Sequence, residues 1–356
     1  CGGPVMISLY AALVSQAPPL SGPVVTLCRD VSNAESIVFS GTQRLFVTGR
    51  EGVYELLGPS DDDCDKKRIP VRVKGVPKRC MKNGIAAHGD YLYLACAHVM
   101  QGNNPLLNAL MDDVNELQQT LTGLLRLSLA AMTYPVESWI VRCDLRQMPL
   151  AFTELVAGLP GNILANGIAI STDGESLFVA NSGPSISTGI YRVPTDADGD
   201  GSKAGLWCRP PGCKPNGLKV KGQTLYYSGN TTPAAVLGSV PINDDGSAGE
   251  PRVIYTGPFH LFDDFETVKE GFVITQFSND YMGVSTGSLR IVSMGGRELA
   301  VLKRQEIDKP CAVAVAKASG ALFAAGDVLI VDKGVGGVLL FKPDDPWRDW
   351  LQVAPS

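Results

Sequence analysis

The chain has 356 residues, of which 45% are hydrophobic and 19% charged, with a formal net charge of −5. That balance excludes a disordered polypeptide, and the lack of any long basic stripe argues against nucleic acid as a partner. The 39 glycines and 24 prolines suit many short strands joined by turns.

The N-terminal segment opens Cys1-Gly2-Gly3 and continues without a charge from Pro4 to Leu20. It resembles the start of a mature bacterial lipoprotein, so residues 1–27 are read as a tether or the remnant of a leader, with a membrane tether through Cys1. The stretch is too short for a spanning helix. Beyond residue 1 there are eight cysteines, an even set that points to disulfides and an oxidising, exported location, periplasmic or at the cell surface. Cys208 and Cys213 flank a short turn and are candidates for a small loop, and Cys96 and Cys143 for cross-strand neighbours. Buried free thiols are the alternative for several of them.

From residue 28 to 350 one pattern recurs. A small polar or acidic residue precedes an apolar run, a Gly or Asp turn follows, and a second apolar run ends in small residues. The lead positions are Glu35, Asn83, Asn166, Asn216, Asp263 and Cys311, spaced by 48, 83, 50, 47 and 48 residues. Six repeats of about 48 residues, each long enough for four strands, predict an all-β, six-bladed β-propeller. A β-sandwich does not predict a constant period.

The one irregular interval contains an insertion. Asn104-Pro105 followed by Leu107, Leu110, Met111, Val114, Leu117, Leu121, Leu124 and Leu125 predicts an amphipathic helix or helix pair over residues 104–131. It follows the second strand of its blade and so rises on the rim where the lead residues gather, as a lid. A structural cap or a membrane-resting helix is the alternative.

All six lead residues start inner strands and therefore point at one axial site. Two carboxylates and three amides converging there suit a hard cation, Ca²⁺ better than Mg²⁺ because calcium tolerates flexible oxygen coordination. A single Asn-Gly pair equally marks a turn, but three in the same repeat phase are more specific. His98, Asn181, Asn230 and Gln276 end second strands at the same rim, and His260 precedes Asp263, so each is a candidate for contact with a substrate. The motif Asp196-Ala197-Asp198-Gly199-Asp200-Gly201 matches the first half of a calcium loop but has Trp207 where the closing Glu belongs. A plain acidic turn is the competing reading.

The segments Leu164-Ala165-Asn166-Gly167-Ile168-Ala169-Ile170-Ser171-Thr172-Asp173-Gly174, Lys214-Pro215-Asn216-Gly217-Leu218 and Asp263-Asp264-Phe265 resemble the superfamily of regucalcin/gluconolactonase, paraoxonase and strictosidine synthase. The resemblance runs from about residue 30 to 342. It implies metal ligands Glu35, Asn166, Asn216 and Asp263, with Asp263 also the general base of lactone or ester hydrolysis and Asn83 holding a substrate oxygen. Two positions depart from it. Asn83 stands where paraoxonases carry His, and Leu164 where sugar-lactone hydrolases often carry Arg, which favours a more apolar lactone or ester. Two functions are therefore expected of the chain: a calcium-dependent hydrolase, or a non-catalytic calcium-containing propeller that binds a ligand or surface partner under the cap.

Overall fold

The computed structural model of the chain describes residues 19–41, 43–60, 63–78, 80–99, 135–183, 188–231, 234–258, 260–278, 285–345 and 347–352. The helical segment expected over 104–131, and Cys1 with the proposed lipid tether, lie outside the described residues. No helix among those described is long and apolar enough to cross a membrane.

Six four-stranded antiparallel sheets form the blades of a propeller. The inner strands are Ile37–Ser40, Met81–His88, Ala165–Ile170, Lys214–Lys221, Leu261–Thr267 and Pro310–Val315, and each touches the next around a closed ring. The sixth blade is completed from the other end of the chain. Its outer strand is Val24–Cys28, paired antiparallel with Gly337–Phe341, so residues assigned to the tether from the sequence belong to the propeller.

The strands carry apolar residues on both faces because both faces are buried. In Arg44–Gly49, Leu45 and Val47 enter the core between blades six and one, while Phe46 enters the core between blades one and two. In Ser176–Asn181, Leu177 and Val179 pack against blade two, and Phe178 and Ala180 against blade four. Successive side chains of a strand point to opposite faces, so every blade feeds two wedge-shaped cores. No blade buries its surface without both neighbours.

Two disulfides are present among the described residues. Cys28–Cys64 joins the outer strand of blade six to that of blade one, across the seam where the ring closes. Cys80–Cys96 fixes the start of the second blade's inner strand to its second strand. The cross-strand pair expected of Cys96 and Cys143 is corrected here: Cys143 lies opposite Leu92, a full four residues along the strand from Cys96. Cys143, Cys208 and Cys213 are buried free thiols, which also overturns the small loop expected of the last two. The acidic loop docks blade three on blade two. Gly199 bridges to Ala157, and Asp200 caps the short turn Gly201–Lys203 by accepting from Ser202 N at 2.9 Å.

The seam disulfide closes a separation of 36 residues, for which loop-closure entropy alone corresponds to roughly 4 kcal/mol. A variant with both Cys28→Ala and Cys64→Ala should lose about 2–4 kcal/mol in urea unfolding under non-reducing conditions, and reductant, which also opens Cys80–Cys96 in both proteins, should bring the wild type and the variant close together.

Candidate functional site: the mouth of the central channel

The lead residues are aimed inward by a shared irregularity. In blades two to five, two inner-strand residues oppose one on the second strand. Asn83 and Gly84 oppose Ala95, Asn166 and Gly167 oppose Ala180, Asn216 and Gly217 oppose Ser228, and Asp263 and Asp264 oppose Thr275. Blade six has one extra residue at Cys311. A bulge of this kind bends the strand and redirects a side chain. Hydroxyls opposite the bulges satisfy the freed backbone. Ser228 Oγ accepts from Gly217 N at 2.8 Å and donates to the Asp263 carbonyl of the next blade at 2.6 Å. Thr275 Oγ1 accepts from Asp264 N at 2.9 Å, and Thr48 Oγ1 accepts from Ser36 N at 2.9 Å in blade one.

The glycines of the Asn-Gly pairs are therefore neither turn residues nor residues in a left-handed conformation. They permit close approach between blades. A Cβ at Gly84 would lie 2.3 Å from Asn166 O, and one at Gly167 would lie 2.1 Å from Asn216 O. At Gly217 it would meet Asp264 Oδ1 at 2.3 Å.

Glu35, Asn83, Asn166, Asn216, Asp263 and Cys311 all line one cavity of about 20 Å³ on the axis, room for a single ion or water. Above it opens a cavity of about 240 Å³. Asn230 and Lys333 join the acids and amides there, and Met81, Leu164, Leu261, Phe262 and Phe277 form an apolar wall.

Not every residue expected at the rim reaches this space. Asn181 is fully buried, and its Oδ1 accepts from Leu164 N and Gly183 N, both at 3.0 Å, holding the turn ahead of Asn166. Gln276 is also fully buried. It bonds to Arg290, which pairs with Glu298, and to His260 Nδ1 at 3.1 Å. His260 stacks on Phe262 from behind the cavity wall. His98 is half-buried opposite Glu137, and burial lowers its pKa. Asn230 does reach the cavity, clamping Phe262 through its carbonyl at 2.8 Å and its N–H at 3.0 Å.

Register explains the difference. Cys96, Asn181, Gln276 and Asp332 each pair with the residue preceding a lead residue. One step further along the second strand in blades five and six lie Phe277 and Lys333, and both line the cavity. A shift of one residue changes the face of a strand.

Lys333 is the residue that sequence reasoning missed. It is buried and ion-paired with Glu35 across the junction between blades six and one. Asp264 directly follows the lead residue Asp263, at the place where the bulges of blades two to four carry Gly. Its Oδ2 meets Lys219 Nζ at 3.1 Å, but its Oδ1 is buried with no hydrogen-bond partner, and it lines the axial cavity. Asn216 Nδ2 donates to Asp263 Oδ1 at 2.7 Å. Burial, then the charge of Glu35, pushes the Asp263 carboxyl up to about 8, while Lys333 and Asn216 act in the opposite direction. Burial holds the Cys311 thiol well above its ordinary value, and it donates to Ala34 O at 3.2 Å, so it offers no thiolate.

The residues present fit a hard divalent cation. The donors are carboxylate and amide oxygens, the space is ion-sized, a buried carboxylate oxygen beside it is unsatisfied, and an ammonium already sits on Glu35. Fold and site together define a six-bladed propeller with an acid-and-amide cluster at one mouth of its channel.

No protein-family model matches the chain, and no curated protein matches it. Among solved structures it is similar to a gluconolactonase from Xanthomonas campestris, at 14% identity and a TM-score of 0.55, covering 93% of this chain and 96% of that one. It is also similar to the PQQ-bound aldose sugar dehydrogenase of Streptomyces coelicolor, at 14% identity and a TM-score of 0.57, covering 92% and 100%. A third is a catalytically inactive virginiamycin B lyase from Staphylococcus aureus, at 9% identity and a TM-score of 0.51, covering 91% and 99%. These likenesses establish the propeller. Their differing activities leave the function to be argued from the site.

Two expectations follow. Gly167→Ala forces the backbones of blades three and four apart and should cost about 1–3 kcal/mol in urea unfolding, whereas Gly295→Ala, where an added Cβ meets nothing within 4 Å and φ is not left-handed, should cost less. In chelator, burial and Glu35 raise the Asp263 carboxyl above an unfolded one, so the native state holds a proton there that the unfolded chain has released. The contribution of Asp263 to stability should therefore fall as pH rises above the ordinary carboxyl range, and Tm should decline less with pH in Asp263→Asn than in the wild type.

Proposed function

We propose that this chain is a cation-dependent hydrolase of lactones or esters acting at the mouth of its propeller channel. The observation that carries the reading is the meeting of all six lead residues around an ion-sized cavity that opens into a larger, partly apolar one. The likeness to a gluconolactonase structure supports it at the level of fold.

Glu35, Asn166, Asn216 and Asp263 are the residues that would hold the cation, with calcium suited to this mixture of acid and amide oxygens. When bound, it supplies Lewis-acid polarisation of the substrate carbonyl. Asp263 receives the proton of the attacking water. The new carbon–oxygen bond forms as the bond to the leaving alkoxide breaks, and the same carboxyl returns the proton to that alkoxide. A carboxylate beside a cation is a weak base, so Asp263 works through position rather than basicity. Asn83 and Asn230 offer amides to a substrate oxygen. Met81, Leu164, Leu261 and Phe277 exclude water from the non-reacting part of the substrate. The two disulfides accord with an oxidising compartment, and we take the protein to be exported, to the periplasm or cell surface.

The test is a panel of lactones and aryl esters assayed with and without chelator. Turnover should disappear on chelation, return with Ca²⁺, and fall by about 10²–10⁴-fold in Asp263→Asn. Calcium binding with no turnover across the panel would overturn the hydrolase in favour of a binding propeller that keeps the ion for structure.

A further inference from the structure

The cation reading leaves one group without a role. Lys333 brings a buried positive charge to the very carboxylates assigned to the ion. It pairs with Glu35, lines the same cavity as Asp263, and lies 5.9 Å from the centre of the Phe277 ring. Its position is built rather than incidental. Lys333 directly follows Asp332, whose fully buried carboxylate gathers four backbone N–H groups. Oδ1 accepts from Lys309 N at 3.0 Å, Gly334 N at 2.9 Å and Val335 N at 3.1 Å, and Oδ2 accepts from Asp308 N at 2.8 Å. Lys333 N donates to Lys309 O at 3.0 Å. The turn is fixed from both sides, and a long side chain leaving it is directed across the blade junction to Glu35.

A divalent ion among Glu35, Asn166, Asn216 and Asp263 would meet this ammonium at close range, where like charges repel strongly in a poorly solvated site. The two cations cannot share Glu35 comfortably. We propose that Lys333 is a tethered counter-ion that neutralises the ligand cluster when no divalent cation is bound, and that loading the site is an exchange in which the ion displaces the Lys333 ammonium from Glu35. This rests on the cation reading above and adds a regulation of the same site. Exchange lowers apparent affinity by the fraction of time the site is free. A lysine docked ninety-nine times in a hundred weakens binding about a hundredfold. In return the ion-free protein avoids burying uncompensated carboxylates. The site then responds to the free cation concentration, where an uncompensated site would bind the ion tightly or fail to fold around its own repulsion.

The experiment titrates CaCl₂ into the chelator-stripped full chain by calorimetry and compares wild type, Lys333→Gln and Lys333→Arg. Lys333→Gln should bind calcium at least tenfold more tightly, and Lys333→Arg should stay near wild type. In chelator, Lys333→Gln should melt several degrees lower and recover when calcium is added. Should the Gln variant not fold, the wild type answers alone: acylation of Lys333 Nζ, followed by peptide mass spectrometry, should rise on adding calcium. Equal or weaker calcium binding by Lys333→Gln, or unchanged labelling of a calcium-bound wild type, overturns the exchange and leaves the metal site standing. Calcium binding by none of the three proteins overturns both.

Discussion

Everything at the channel mouth depends on how closely the inner strands approach one another. Gly84 and Gly167 each lie against the bulge of the following blade, with no room for even a methyl group. That approach lets side chains separated by up to 276 residues in the chain, from Glu35 to Cys311, share a cavity of about 20 Å³. The bulges aim the side chains, the hydroxyls of Ser228 and Thr275 occupy backbone groups that the bulges release, and Thr48 accepts in the same way from Ser36 N in blade one. Binding chemistry and blade packing are consequently one constraint seen from two sides.

The electrostatics follow from that compression. Glu35, Asp263 and Asp264 are drawn together near the axis, and among the described residues Lys333 pairs with Glu35 and Lys219 with Asp264. Burial and mutual repulsion raise the Asp263 carboxyl. Sites that perturb acids in this way are where chemistry or ion binding is usually found. The wall on the other side is apolar and is held from behind by a buried network. Arg290 pairs with Glu298 and reaches Gln276 and His260, and His260 and Tyr255 stack on Phe262. One half of the cavity is thus charged and the other hydrophobic, a division suited to a substrate with one polar reacting centre.

Much of this architecture was legible as a period. The regular spacing of lead residues named the fold, the number of blades and the residues that meet on the axis, because a closed ring gives equivalent positions equivalent surroundings. The sheet register was less legible. Asn181 and Gln276 were chosen as rim residues by their place near strand ends, yet each is one step from the face that opens to the cavity. Period-two alternation, which usually marks that face, is silent here because both faces of these strands are apolar and buried. Lys333 escaped notice because it lies beyond its strand, after an Asp whose capping role only coordinates reveal. The Asn-Gly pairs were informative for the right positions, although the glycine is required by a neighbour's carbonyl oxygen rather than by a turn.

The seam gives the molecule an order of assembly. The outer strand of the sixth blade is Val24–Cys28, while its other three strands lie between Pro310 and Phe341. A chain made from its N-terminus therefore produces the last blade's edge first and must keep it unpaired until nearly everything else has been synthesised. Blades one to five can each complete their hydrogen bonding as they emerge. Blade six cannot, and the ring, with Glu35 and Lys333 facing each other across its final junction, exists only once both ends of the chain have met. Ion pair, covalent clasp and strand pairing all lie at that junction, so the binding centre becomes whole at the same moment as the circle does.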